Sequence, residues 1–120
     1  MDIGIFQNQL IRGGFTITLQ TTGKPMVDAI GREALAKTSI VGRRLDILIR
    51  IPMAEEEFSI TIYHEILEGV TVASIHPPES VMMLNEGDFE AAAQKAHAQF
   101  GMASPENLDR MLQSFGFKEE

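Results

Sequence analysis

The decapeptide "TIYHEILEGV", Thr61 to Val70, decides how the rest of the chain is interpreted. It contains the pair His64-Glu65, followed three residues later by Glu68. On an α-helix, residues four apart project from the same face about one turn apart, so His64 and Glu68 would converge on one point. Because the chain has no cysteine, histidine and carboxylate are the donors left for a transition-metal site. The first question is therefore whether this stretch is helical. The second is whether the helix binds a metal or is an ordinary amphipathic helix.

The residues before the decapeptide favour a helix. The run Glu55 to Glu57 places acidic side chains where they complement the positive end of a helix dipole, which predicts a helix from about Ala54 to Ile75. The β-branched run Ser59 to Ile62 makes a strand the alternative for the first turns. In a strand, His64 and Glu68 would stand about 13 Å apart, too far for one ion.

Alternation of apolar and polar residues predicts two strands. One covers Phe15 to Gln20, and the other covers Leu45 to Ile51, with Pro52 ending it. Between them, apolar residues recur at helical spacing, which indicates a helix from Met26 to about Thr38. The predicted order begins with strand, helix, strand and motif helix.

Two more helices are predicted after the loop "HPPES". The first runs from Asp88, which can cap it, to Phe100, and Gly101 stops it. The second opens with Ser104 as its cap and Pro105 at the first helical position. The chain is thus predicted to be an α+β protein, with a short β-sheet packed against three to four helices that include the motif helix.

The motif resembles the His-Glu-x-x-His helix of zincin metallopeptidases, with Glu68 in place of the second histidine. A strand, an acidic and aromatic run, the motif helix and a later helix with another ligand form the layout of small zincin domains. The likeness spans roughly Gly14 to Gly101, and "HEILEG" with "KAHAQF" is also similar to phage and bacterial zincin-like proteins. The resemblance implies a small zincin-like fold, and the length of 120 residues predicts one domain over residues 1–120.

The resemblance also implies roles for particular side chains. His64 and Glu68 would be metal ligands, and Glu65 would be the catalytic base that activates a metal-bound water. The third ligand would come from the later helix, where His97 and Glu90 lie seven residues apart and so share a stripe. His97 is predicted because imidazole is the more usual zinc ligand, with Glu90 as the alternative. Zinc is expected, and iron or manganese are alternatives that accept more oxygen ligation.

The implied function is that of a metal-dependent hydrolase that cleaves an amide or peptide bond in a peptide or protein. The alternative is a catalytically inactive zincin-like interaction or regulatory module, because the short chain lacks the second lobe that usually completes a peptidase cleft. Such a module could form a homodimer through "SVMML" (80–84) or through the last helix. A structural protein without metal is the third hypothesis, and it requires a strand that continues through His64.

Charge and hydropathy narrow the classes of partner. The formal net charge is −7, from 17 acidic and 10 basic residues, and a negative field disfavours nucleic acid and anionic membrane surfaces. No stretch approaches the roughly 20 apolar residues that a spanning helix needs, and the N-terminus has no basic leader before an apolar core. The sequence therefore predicts a soluble, cytoplasmic protein with no nucleic-acid or membrane partner.

Overall fold

The computed structural model describes residues 2–119, which form a mixed α+β arrangement. The strands are β1 (Gln9–Ile11), β2 (Phe15–Thr22), β3 (Met26–Val27), β4 (Glu33–Ala34), β5 (Ala36–Val41) and β6 (Arg44–Arg50). The α-helices are α1 (Glu55–Ala73), α2 (Glu79–Met82), α3 (Glu86–Phe100) and α4 (Pro105–Ser114). The α+β class predicted from the sequence is confirmed.

Both strands predicted from alternation are confirmed, and they lie side by side at the centre of the main sheet. In the described range this sheet has the order β1-β2-β6-β5. β2 and β6 run parallel, with Ile17 opposite Leu45 and Leu19 opposite Ile47, whereas β1 and β5 pair antiparallel at the edges. These four side chains are buried and belong to the apolar surface of the sheet against which α1 packs.

The helix predicted from Met26 to Thr38 is wrong. This segment holds β3, a turn, β4 and the start of β5. The Asp28 side chain accepts hydrogen bonds from the backbone N–H groups of Ile30 and Arg32 at 3.0 and 2.9 Å, and Gly31 has a φ of 84°. An aspartate turn followed by a residue in the left-handed region closes a hairpin rather than a helix. Ile30, one of the apolar residues whose spacing suggested the helix, is 73% exposed.

The helix predicted around the decapeptide is confirmed as α1, so the strand alternative for Ser59 to Ile62 is wrong. The acidic first turn begins at Glu55, and the helix ends at Ala73. α1 approaches the sheet closely at Gly69, where an added Cβ would lie 3.4 Å from the Leu45 side chain. The hypothesis of a metal-free structural protein required a strand that continues through His64. In the described residues this stretch is helical instead.

α3 begins two residues earlier than predicted. Its cap is Asn85 rather than Asp88: the Asn85 side chain accepts from the N–H of Asp88, and the Asp88 side chain accepts from the N–H of Asn85. This reciprocal pair is a capping box, which satisfies two backbone donors at once. The earlier start places Glu86 in the first turn of α3. Gly101 ends the helix as predicted, with a φ of 91°.

α4 begins as predicted. The Ser104 side chain caps it by accepting from the N–H of Asn107 at 3.1 Å, and Pro105 occupies the first turn. Its apolar face, formed by Leu108, Met111 and Leu112, is fully buried in the core. Within residues 2–119, no helix combines the length and the apolar character needed to cross a membrane.

Ser59 ties α1 to the elements packed against it, and we expect its loss to be costly. Its side chain is fully buried, accepts from the N–H of Ala103 at 2.8 Å and is hydrogen-bonded to His97 Nδ1 at 2.9 Å. Ser59→Ala leaves a buried N–H without a partner and should lower the free energy of unfolding by about 1 to 3 kcal/mol. Urea unfolding followed by circular dichroism measures this, with Ser39→Ala on the exposed face of β5 as the control. Equal stability of the two variants would contradict the role given to Ser59.

Candidate metal centre

α1 and α3 bring one histidine and several carboxylates together. Donor atoms of His64, Glu65 and Glu68, all on α1, lie within 4.8 Å of one another. From α3, Glu86 Oε1 lies 2.9 Å from His64 Nε2, and Glu90 Oε1 lies 2.8 Å from His64 Nδ1. The imidazole therefore has a carboxylate beside each of its ring nitrogens.

The surroundings of His64 fix how its two nitrogens can be used. The residue is buried, with 8% of its surface exposed. Its Nδ1 is hydrogen-bonded to Glu90 Oε1 at 2.8 Å, and a neutral imidazole that donates this proton to the carboxylate has its lone pair on Nε2. Nε2 lies 2.9 Å from Glu86 and 3.8 Å from Glu68, yet in residues 2–119 this buried nitrogen has no hydrogen-bond partner. A proton or a metal ion shared between this nitrogen and the two carboxylates would satisfy the arrangement.

The crowding of negative charge shifts the ionisation of these groups. Burial and then the proximity of the Glu86 carboxylate together raise the pKa of Glu68 to about 7. Burial also raises the pKa of Glu65. For His64, burial opposes the charged form, yet the hydrogen bond to Glu90 and the nearby carboxylates outweigh it and raise its pKa. Without a cation, the cluster retains protons that a divalent metal would displace.

Glu65 has a separate hydrogen bond to the sheet. Its Oε1 accepts a hydrogen bond of 2.8 Å from the hydroxyl of Thr38, on strand β5. Consecutive helical residues are rotated by about 100°, so Glu65 flanks the pair His64 and Glu68, and a carboxylate oxygen of Glu65 stays within 4.8 Å of their donor atoms. The hydroxyl thus fixes the orientation of a carboxylate that stands beside the histidine–glutamate pair.

The structure separates the two residues considered as third ligand. Glu90 contacts His64, whereas His97 is hydrogen-bonded to Ser59, five residues before His64 on α1. α1 and α3 run antiparallel, so residues late in α3 lie against residues early in α1. Among the described residues, Glu90 therefore lies against His64, whereas His97 belongs neither to the group His64, Glu65 and Glu68 nor to the contacts of His64.

Glu86, which the structure places against His64 Nε2, was not among the ligands predicted from the sequence. Its omission followed from starting the helix at Asp88. The spacing Asn85-x-x-Asp88 signals a helix that begins two residues earlier. Glu86 and Glu90 are then four apart and share one face, which is the signal that could have found them together.

Comparisons of the chain with protein-family models, with curated proteins and with solved structures find no match. The assignment of the centre therefore rests on the geometry and chemistry of its own side chains. The zincin resemblance of the motif stays a prediction from the sequence.

Tyr63, next to His64 and the single tyrosine of the chain, gives a direct test of the packing here. It is fully buried and donates to the Gly101 carbonyl at 2.9 Å, and burial raises its pKa to about 12. The pKa of tyrosine in the unfolded chain is about 10. The stabilisation by the protonated, buried Tyr63 is therefore complete below pH 10 and is lost as the pH rises through 12. Tyrosinate absorbance recorded immediately after a pH jump should show a midpoint near 12 in the native protein. A native midpoint equal to that in denaturant would contradict this packing.

Proposed function

We propose that this chain is a zincin-like, metal-dependent hydrolase of amide or peptide bonds. His64, Glu68 and Glu86 would hold the metal, and Glu65 would be the general base. The observation that carries the proposal is the buried His64 Nε2, which has no hydrogen-bond partner in residues 2–119 and faces carboxylates from two helices. One imidazole and two carboxylates fit the three protein ligands of a catalytic zinc site. Zinc is the expected metal, with iron or manganese as alternatives for an oxygen-rich site.

The side chains around this set have distinct tasks in the proposed chemistry. A divalent metal bound there would supply Lewis acidity, which polarises a scissile carbonyl and acidifies water. Glu90 keeps the imidazole of His64 oriented through its contact with Nδ1–H. Glu65, fixed by Thr38, accepts a proton from the attacking water as its oxygen bonds to the carbonyl carbon. The same proton then passes to the leaving nitrogen as the carbon–nitrogen bond breaks.

The sheet supports a peptide as the substrate. In the described part of the chain, β5 pairs with β6 alone, so its outer edge carries backbone groups without strand partners. Thr38, which touches Glu65, lies in this strand. An extended peptide that pairs with the outer edge of β5 would therefore lie close to Glu65.

Metal content tests the proposal. The protein should be purified without an affinity tag or added metal, reconstituted with zinc, and analysed by plasma mass spectrometry beside His64→Ala and the control His76→Ala. His76 is exposed in the loop after α1, so its removal takes away a histidine and leaves the centre intact. We expect about one equivalent of metal in the wild type and in His76→Ala, and little in His64→Ala. Absence of metal from the wild type after reconstitution would contradict the proposal.

One observation favours the inactive interaction module as a second candidate. In the segment 80–84, Met82 and Met83 are 61% and 90% exposed. Exposed methionines are common at adaptable protein interfaces. Two surfaces were considered for a homodimer. The apolar face of α4 is buried, whereas Met82 and Met83 in the segment 80–84 are exposed. Sedimentation velocity of the wild type beside Met83→Lys tests it, and a monomer at every concentration would contradict dimerisation.

A further inference from the structure

A groove next to the candidate metal centre is used neither for metal binding nor for proton transfer in the chemistry proposed above. Its volume is about 510 Å³, and it lies between Leu35, just before β5, the first two turns of α1 and the side of α3. Glu90 lines the groove and also contacts His64. A side chain that enters this groove would therefore extend directly from the candidate centre.

The positions on α1 give the spacing between the groove and the centre. Glu57 and Thr61 line the groove, and Glu65 follows at the next interval of four residues. Likewise Ile60 lines the groove one interval before His64. Residues four apart share a helix face, so the groove lies one turn, about 5.4 Å, before the centre on the same face. That distance corresponds to between one and two residues of an extended peptide, which rises about 3.3 Å per residue.

The walls of the groove combine two kinds of surface. Leu35 and Ile60 give it apolar walls, and Leu35 is 48% exposed although it is a large hydrophobic side chain. Glu56, Glu57 and Glu90 give it carboxylates, while none of its described lining residues is a lysine, an arginine or a histidine. An occupant with an aliphatic stem and a cationic end would cover the first surface and pair with the second.

We propose that this groove receives the lysine or arginine side chain of a peptide substrate and so sets the specificity of the centre, an inference that rests on the proposed function. The methylene stem would lie against Leu35 and Ile60, and the cation would face Glu56 and Glu57. An acidic side chain would be repelled, and a purely apolar one would desolvate carboxylates without pairing them. The net charge of −7 would also attract cationic peptides to the protein before they bind.

Binding of two small probes tests the groove without turnover. The probes are Nα-acetyl-lysine amide and Nα-acetyl-norleucine amide, which share a stem and differ in the charged end. Each is titrated into methyl-labelled Glu65→Gln protein, and shifts of the Leu35 and Ile60 methyl signals are followed by NMR. We expect the lysine probe to bind about fivefold more tightly at low salt, a ratio typical of two exposed ion pairs. Equal affinities, or no shift at either methyl group, would overturn the proposal.

A pair of double variants shows whether the preference for the lysine probe comes from the groove carboxylates or from the net charge of the protein. Glu56→Gln with Glu57→Gln should abolish the preference for the lysine probe. Glu79→Gln with Glu106→Gln removes the same charge from the first turns of α2 and α4 and should leave the preference unchanged. An equal loss in both double variants would overturn the proposal, because the preference would then come from net charge alone.

A peptide library tests the same inference during cleavage. The zinc-loaded wild type should cut bonds that have lysine or arginine enriched at one fixed position, and the Glu56→Gln, Glu57→Gln variant should lose that enrichment. Cleavage without such enrichment would overturn the groove proposal and leave the proposed function standing. A library left uncut, with the lysine preference present by NMR, would instead contradict the hydrolase and support the groove as a binding site for basic side chains.

Discussion

Glu86→Ala is expected to weaken zinc binding by more than about 100-fold, because loss of a ligand should exceed the roughly 10- to 100-fold cost of a second-shell change. The Glu86 carboxylate lies 2.9 Å from His64 Nε2 and is close enough to Glu68 to raise the pKa of that carboxyl. His97→Ala is expected to change zinc affinity by less than about threefold, since its ring contacts Ser59 instead. Competition with a chromophoric chelator measures both affinities.

The control for this pair is Glu79→Ala, which removes an acidic residue from the first turn of α2. It should leave zinc affinity unchanged, so that a loss in Glu86→Ala cannot be ascribed to net charge. Thermal unfolding of each metal-free variant shows whether the fold is retained. A strong loss of affinity in His97→Ala together with wild-type affinity in Glu86→Ala would contradict the ligand assignment.

Glu65→Gln is expected to lower kcat/KM by about 10²- to 10⁴-fold on the library peptide that the wild type cleaves fastest, which is the usual contribution of a general base. Glutamine keeps the oxygen that accepts from the Thr38 hydroxyl and removes the group that takes a proton. Zinc affinity should stay close to that of the wild type, because His64, Glu68 and Glu86 are unchanged. The measurement is therefore kcat/KM together with metal content on the same preparation.

The matched control is Glu106→Gln, an exposed position in the first turn of α4. It should cleave the same peptide at the rate of the wild type. If Glu65→Gln also does so with its zinc bound, Glu65 is not the base, and the water would have to be activated by another group. A loss of zinc from Glu65→Gln would instead show that Glu65 serves as a ligand.

Local chemistry allowed the sequence to predict much of the fold. The cap at Ser104 with Pro105, the acidic start of α1 at Glu55 and the alternation in β2 and β6 each depend on neighbouring residues, and the structure confirms them. The segment from Met26 to Thr38 could not be predicted in this way. Its spacing fits a helix, but the Asp28 turn and the pairing of β5 with β6 decide its conformation. Strand pairing is non-local, so spacing within one segment does not report it.

The candidate centre was predictable on one helix and much less so across two. That His64 and Glu68 share a helix face, one turn apart, follows from helical periodicity alone. Choosing a partner on α3 needs the direction and the register of that helix. In the antiparallel packing, His64 meets Glu90 and Ser59 meets His97, so the seven residues from Glu90 to His97 carry the histidine about 10 Å along the axis. The preference of zinc for imidazole could not supply this register.

X-ray absorption at the zinc edge, on protein reconstituted with about one equivalent of zinc, tests the assignment of the centre most directly. Imidazole rings give a multiple-scattering pattern that counts histidine ligands, and carboxylates add oxygen to the first shell. We expect one imidazole with oxygen donors, from His64, Glu68 and Glu86. Two imidazoles would contradict the assignment and bring His97 or His76 into the site, and a first shell without imidazole would exclude His64.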